Sequence, residues 1–432
     1  MRRKINDGWR FRRKDSIRWS DISLPHATKE EGFVYKRSFM LEDDQLKKQV
    51  ALLFTDMPGD ATVFVNGKKA MSRSSTISCN DLVRAGENIL RVETTSPLRC
   101  DVWLIVKEPG TLMPADVDIE TVAARPAKIR MHAQRECMVF VLDGYDVMAQ
   151  GYGKDVELML SGARPWTLED PCIYTVVAGG EVFNVGFRQI SIERNVMMLN
   201  GKPTILKGCL VDPWDWRNED IEERVIWMKE AGFTAVKSTG IPFIEAFLNA
   251  CDKNGLLAVE EAKDETYAAK ASRHPSLVLP CQRDGREGIP FVTRGNGRME
   301  KIMTVCGEHV MGVFMRATWD GQGNPGEETL LARAVLCRFE KPQPIVCFGK
   351  ETKGKASWTW HGREGNHCLV KVFSAAPFVA LLINGRHVDV KALKHHKAVF
   401  SIRYEPGELK LRSLDKRGNL IGATIIRTQD VN

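Results

Sequence analysis

Between Val196 and Glu265 the apolar residues change period several times, and each change marks an element. Met198-Leu199-Asn200-Gly201-Lys202-Pro203 reads as a tight turn on Asn-Gly, and Thr204 to Leu206 with Lys207-Gly208 reads as a strand ending at Gly208. From Asn218 the pattern becomes helical: Asn218 suits the cap, Glu219 and Asp220 suit the positive N-terminal end, and Ile221, Val225 and Met228 recur on one face. Gly232 stops that helix. A strand over Thr234 to Ser238 follows, then a helix from Pro242 to Lys253 closed by Gly255, and a strand over Leu256 to Glu260. Strands alternating with helices imply parallel pairing, so this stretch reads as the first three units of an α/β barrel with ligands at the strands' C-terminal ends.

Both flanks are β in pattern. From Ile5 to Val106 short alternating runs are divided by polar turns: Val63-Phe64-Val65 leads into Asn66-Gly67, and Ala85-Gly86-Glu87-Asn88 precedes Ile89 to Val92. Pro114 to Glu193 is strand-rich as well, with Val139-Phe140-Val141 as one strand, and β pattern returns from Lys341, where Asn384-Gly385 marks a hairpin. Trp9, Tyr35 and Trp103 read as core aromatics ahead of a sugar-stacking platform.

With 432 residues the chain exceeds one core, so several domains of roughly 100 to 150 residues are expected. The net charge of +7 is mild, and its densest cluster (Arg2, Arg3, Lys4, Arg10, Arg12, Arg13, Lys14) is interrupted by Asp7 and Asp15. It reads as a solvated strand edge before a polyanion site, and nucleic acid is not an expected partner. Neither a leader peptide nor a membrane span is legible, which predicts a cytoplasmic protein. Eleven cysteines without a Cys-x-x-Cys pair predict buried thiols, with no metal and no cofactor.

Several phrases resemble the family 2 glycoside hydrolases, which include β-galactosidases, β-glucuronidases and β-mannosidases. They are Leu199 to Pro203 with Lys207-Gly208, Met228 to Lys237, and Phe247-Leu248 through Cys251-Asp252-Lys253-Asn254-Gly255-Leu256-Leu257. The flanks agree: Asp7-Gly8-Trp9-Arg10-Phe11, Gly32 to Arg37 and Phe64 to Lys68 match the family's first domain, and Asp170 to Tyr174 with Val185 to Ile190 match the end of its second. Trp358 to Gly365, Leu381 to Gly385 and Tyr404 to Lys410 resemble a domain that follows the barrel. The resemblance implies a multidomain β plus α/β chain. Its parts would be a galactose-binding-like jelly-roll sandwich over 1–113, an immunoglobulin-like sandwich over 114–193, a truncated barrel over 194–340 and an immunoglobulin-like sandwich over 341–432.

The match has a gap. His274-Pro275-Ser276 with Leu277 to Leu279 resembles the entry to the fourth strand, Ile289 to Gly295 the seventh, and Met311 to Arg316 the eighth. Only about ten residues separate the fourth from the seventh, too few for a crossover, so units five and six are missing and a six-strand remnant is expected. Gly285 stands where the resemblance places the acid/base glutamate, with Asp284 beside it, and Arg294 stands at the nucleophile's place. Retaining hydrolysis needs two carboxyl groups about 5 Å apart, so a catalytically inactive carbohydrate-binding or interaction scaffold is expected. The other reading is a working glycosidase with carboxylates relocated among Glu260, Glu261, Asp264, Asp284, Glu287 and Asp320. Asp212, Trp214, Trp216, Lys237, Arg316 and Trp319 are the candidate substrate contacts, with packing the competing role for the first three. The open barrel predicts a second copy or a protein partner over its edges.

Overall fold

The computed structural model describes the chain except residues 27, 29, 71–74, 195, 212–217, 239–241, 261–272, 279–291, 296–300, 307–308, 320–323, 350–353 and 430–432, and it describes the backbone alone at 218–219, 292–295, 301–306 and 309–311. The chain is a multidomain β protein with an α/β part.

At the N-terminal end two antiparallel sheets enclose a core running from Ile5 to Val106. The four-stranded sheet comprises Arg2–Lys4, Val102–Lys107, Gln49–Phe54 and Thr76–Ser78. In the six-stranded sheet the order is Ser20–Ile22, Trp9–Arg13, Phe33–Leu41, Gly86–Thr94, Thr62–Val65 and Lys68–Lys69. Alternation decides the facing: Trp9, Tyr35, Val63, Val65, Leu90 and Val92 turn inward, and Arg10, Lys36, Phe64 and Arg91 between them turn out. Trp9 and Tyr35 are core residues, while Trp103 is partly exposed beneath Arg2, whose guanidinium carbon lies 4.9 Å from the ring centroid.

The second β region is one sheet that serves two layers. Ala127–Asp143 pairs with Val117–Ala124 along its first half and with Tyr174–Ala178 along its second, and its register against Asp146–Leu160 shifts between His132 and Cys137. The terminal region has a three-stranded sheet (Gln343–Phe348, His367–Phe373, Lys397–Arg403) and a four-stranded one (Arg386–Ala392, Phe378–Ile383, Glu408–Leu414, Leu420–Arg427) around Trp358, Tyr404 and Phe400. At each Asn-Gly turn both residues are left-handed, with φ of 51° and 81° at Asn66-Gly67, 53° and 79° at Asn200-Gly201, and 49° and 80° at Asn384-Gly385. That geometry matches the twist of a two-residue hairpin.

The α/β part is organised by seven strands: β1 (Leu206–Val211), β2 (Ala235–Ser238), β3 (Leu257–Val259), β4 (Leu277–Val278), β5 (Val292–Gly295), β6 (Lys301–Cys306) and β7 (His309–Arg316). Helices α1 (Asn218–Glu230), α2 (Glu245–Asn254) and α3 (Glu327–Leu336) accompany them. The order across the sheet is β4-β3-β2-β1-β7-β6-β5, and β4, β3, β2, β1 and β7 pair in parallel. Cys209, Val211, Val236 and Ala258 pack against the helices, and Leu206, Leu210, Ala235, Leu257, Val259 and Phe314 form the other face with Met197, Leu199 and Trp166.

Two expectations need correction. The first strand continues past Gly208 to Val211, because Cys209, Leu210 and Val211 are buried and pair with β2. A Cβ on Gly208 would overlap the Phe314 ring, so the glycine admits β7 rather than ending the strand. Nor is the sheet a six-strand remnant. The Arg294 segment does not lie beside β7; it pairs antiparallel with β6, which pairs antiparallel with β7. The short connection from β6 to β7 suits this antiparallel pairing, where a parallel pair would need a crossover.

Candidate functional site

The parallel strands deliver their C-terminal residues to one end of the sheet. Lys237 stands opposite Leu210 and Val259 and is 4% exposed, held on the face lined by Leu210, Ala235 and Val259. Glu260 follows β3 and is 2% exposed, and its Oε1 accepts the Phe243 N–H at 2.6 Å. That bond fastens the segment between β2 and α2, whose Phe243 and Phe247 rings stack at 4.2 Å. Arg316 ends β7 in solvent, with its Nε 3.5 Å from Glu328 of α3. Trp319 lies on the helix side, edge-on to Trp227 of α1 at 6.3 Å and 5.9 Å from the Arg224 guanidinium. The structure therefore gathers Lys237 and Glu260 near the strand ends and turns Trp319 toward the helices. Asp212, Trp214, Trp216, Glu261, Asp264, Asp284, Gly285, Glu287 and Asp320 lie outside the described residues, and Arg294 is described by its backbone.

One constellation escaped the sequence reading. His274, at the entry to β4, is buried between two carboxylates of α2: its Nδ1 is 2.6 Å from Asp252 Oδ2 and its Nε2 is 3.2 Å from Glu245 Oε1. Asp252 Oδ1 also accepts the Ser276 N–H at 2.9 Å, and its backbone carbonyl accepts the Trp166 indole N–H at 2.7 Å. Burial alone would push the imidazole down; the bonds to Asp252 and Glu245 outweigh it and hold the pKa at about 9. His274 is thus a cation locked between acids, joining α2 to β4 rather than shuttling protons. The phrase His274-Pro275-Ser276 was legible, but its partners on α2 are set by packing.

A neighbouring contact covers the sheet edge. The guanidinium of Arg188, from the β region before β1, donates to the Leu277 carbonyl, and both Leu277 and Val278 are fully buried. The described cysteines are free, and all but Cys337 are buried, in keeping with thiols used for packing. Among the described residues no group of three His, Cys, Asp or Glu side chains is arranged to hold a metal, and no helix is long and apolar enough to cross a membrane.

Comparison with known proteins places these features. Residues 365–422 match a family model described as a domain of unknown function, DUF4982. A curated β-galactosidase from Pectobacterium atrosepticum is 27% identical over 210 residues, 41% of this chain and 19% of that relative. The chain's match thus spans about a fifth of that relative's length. Among solved structures, a glycosyl hydrolase family 2 member from Bacteroides cellulosilyticus superposes with a TM-score of 0.69 at 17% identity, covering 100% of this chain and 85% of the other. A β-glucuronidase from Bacteroides uniformis gives 0.63 at 13% identity, covering 99% and 80%. In sequence over part of its length and in fold over the whole, the chain is similar to the family 2 glycoside hydrolases.

Proposed function

We propose that this chain does not hydrolyse glycosides by double displacement and serves instead as a carbohydrate-binding scaffold. The observation that carries the reading is the setting of Arg294. Its strand is the far edge of the sheet, and the ladders put Arg294 opposite Met303, Met303 opposite Val313 and Val313 opposite Lys207. That level is three residues short of Leu210 and Lys237, a distance of about 10 Å along a strand. A permanent cation cannot attack carbon, and a strand residue at that level brings no carboxylate to the strand ends. Gly285 has no side chain with which to protonate a leaving group. Glu260 is committed to the Phe243 N–H, which argues against its service as a relocated acid.

The likeness to a β-galactosidase and a β-glucuronidase supports a sugar as ligand class, and Lys237 with Arg316 supports a polar lining for it. Treatment with a 2-deoxy-2-fluoro glycoside followed by mass spectrometry of the intact chain tests the reading. No adduct and no turnover of a nitrophenyl glycoside panel are expected, together with binding on a glycan array. A stoichiometric adduct on Glu260, Glu261, Asp264, Asp284, Glu287 or Asp320 would establish a relocated active site.

A further inference from the structure

The outer face of the six-stranded N-terminal sheet carries a row of cations that no stretch of sequence shows. Arg10 stands opposite Lys36, Lys36 opposite Arg91, Arg91 opposite Phe64 and Phe64 opposite Lys69. Residues directly opposite on neighbouring strands project to the same face, at a step of about 5 Å per strand. Lys36 and Lys69 are exposed, and neither has an ion-pair partner among the described residues. Two acids temper the row: Asp21 at 3.4 Å from Arg10 and Glu93 at 2.6 Å from Arg91. Arg12, one alternation further along the strand, adds a positive charge beside Trp19, 5.4 Å from its ring.

We propose that this face binds an anionic polysaccharide whose carboxylates lie along Arg10, Lys36, Arg91 and Lys69. A linear polyuronate carries one carboxylate per sugar, so an extended chain laid across the strands meets successive cations. The aromatic residues argue against a single-stranded nucleic acid, which needs open ring faces for its bases. Here the Arg91 guanidinium covers Phe64 at 4.0 Å, and Arg10 and Arg12 lie against Trp19 at 6.0 and 5.4 Å. A protein partner is disfavoured for a different reason. Protein interfaces centre on desolvated anchors and are depleted of charge at their core, whereas this row is charged along its length. The inference is independent of the barrel's chemistry, because a chain that did hydrolyse glycosides would keep this face.

Titration of the full chain with polygalacturonate, neutral galactan and a single-stranded oligonucleotide, read by fluorescence anisotropy of the labelled protein, provides the test. Polygalacturonate should bind at low salt, neutral galactan should not, and raising the salt should abolish binding because exposed charges are screened. The double variant Lys36→Glu/Lys69→Glu should weaken polygalacturonate binding at least tenfold. Lys154→Glu/Lys202→Glu, the same charge change at exposed positions elsewhere, should weaken it less than threefold. Equal losses in the two variants, no binding at low salt, or tighter binding of the oligonucleotide would each overturn the proposal.

Discussion

His274 shows how one residue's surroundings set a measurable pH dependence. Its folded pKa of about 9 lies above the ordinary 6.5, so its contribution is fully present below pH 6.5 and is lost as pH rises through 9. The size implied is about 3 kcal/mol. Urea denaturation of the native chain should therefore show stability falling between those values, relative to a His274→Gln variant in which that slope is absent. Parallel curves for the two proteins would mean that the imidazole is neutral in the fold. Glu260 makes a second case. Glu260→Ala leaves the buried Phe243 N–H without its carboxylate, which should cost about 1 to 3 kcal/mol, read as a lower thermal midpoint.

Helix α2 illustrates an element finished by other parts of the chain. Its first N–H, at Glu245, donates to Asp56 Oδ2 of the N-terminal sandwich at 2.6 Å, supplying the cap that Ile244 cannot. Asp56→Ala should cost about 1 kcal/mol and speed amide exchange in the first turn of α2 while leaving its last turn protected. The other end is set by Gly255, left-handed at φ of 67°, where a Cβ would collide with the Leu168 carbonyl. Gly255→Ala therefore meets both backbone strain and a clash with main chain, and about 2 kcal/mol or more of destabilisation is expected from chemical denaturation. The cap residue Gly255 was legible from its place after the helical pattern. Asp56 was not, because it is 189 positions away.

At the scale of the molecule, the open sheet raises the question of what covers its edges. β4 is held from within the chain: the amides of Ala258 and Glu260 donate to Ser276 and Val278 on its β3 side, and the Arg188 guanidinium caps the Leu277 carbonyl. Protection of those two amides in hydrogen exchange should be unchanged on tenfold dilution. Loss of protection on dilution would show that a second copy completes this edge. On the opposite side α3 is pinned to the terminal sandwich, where Glu327 accepts from Lys371 at 2.5 Å and Lys397 at 3.1 Å. The charged lysines hold the Glu327 carboxyl below its usual range against the opposing effect of burial.

The residues alone determined the local geometry. Asn-Gly at three hairpins, Gly232 and Gly255 after the helical runs, and the short apolar runs of β2 and β3 act within a few bonds, so their meaning survives without knowledge of the fold. That Gly285 and Arg294 stand where the resemblance implies carboxylates is an expectation read from the residues alone, since neither glycine nor arginine offers a carboxyl group in any fold. Pairing across long separations is another matter. That Lys301–Cys306 enters the sheet as an antiparallel strand, that His274 is clasped by α2, and that Arg10 aligns with Lys36, Arg91 and Lys69 were decided by the tertiary structure. Register and burial belong to the packed chain, because a strand's pattern states which face is apolar but leaves open which strand it meets.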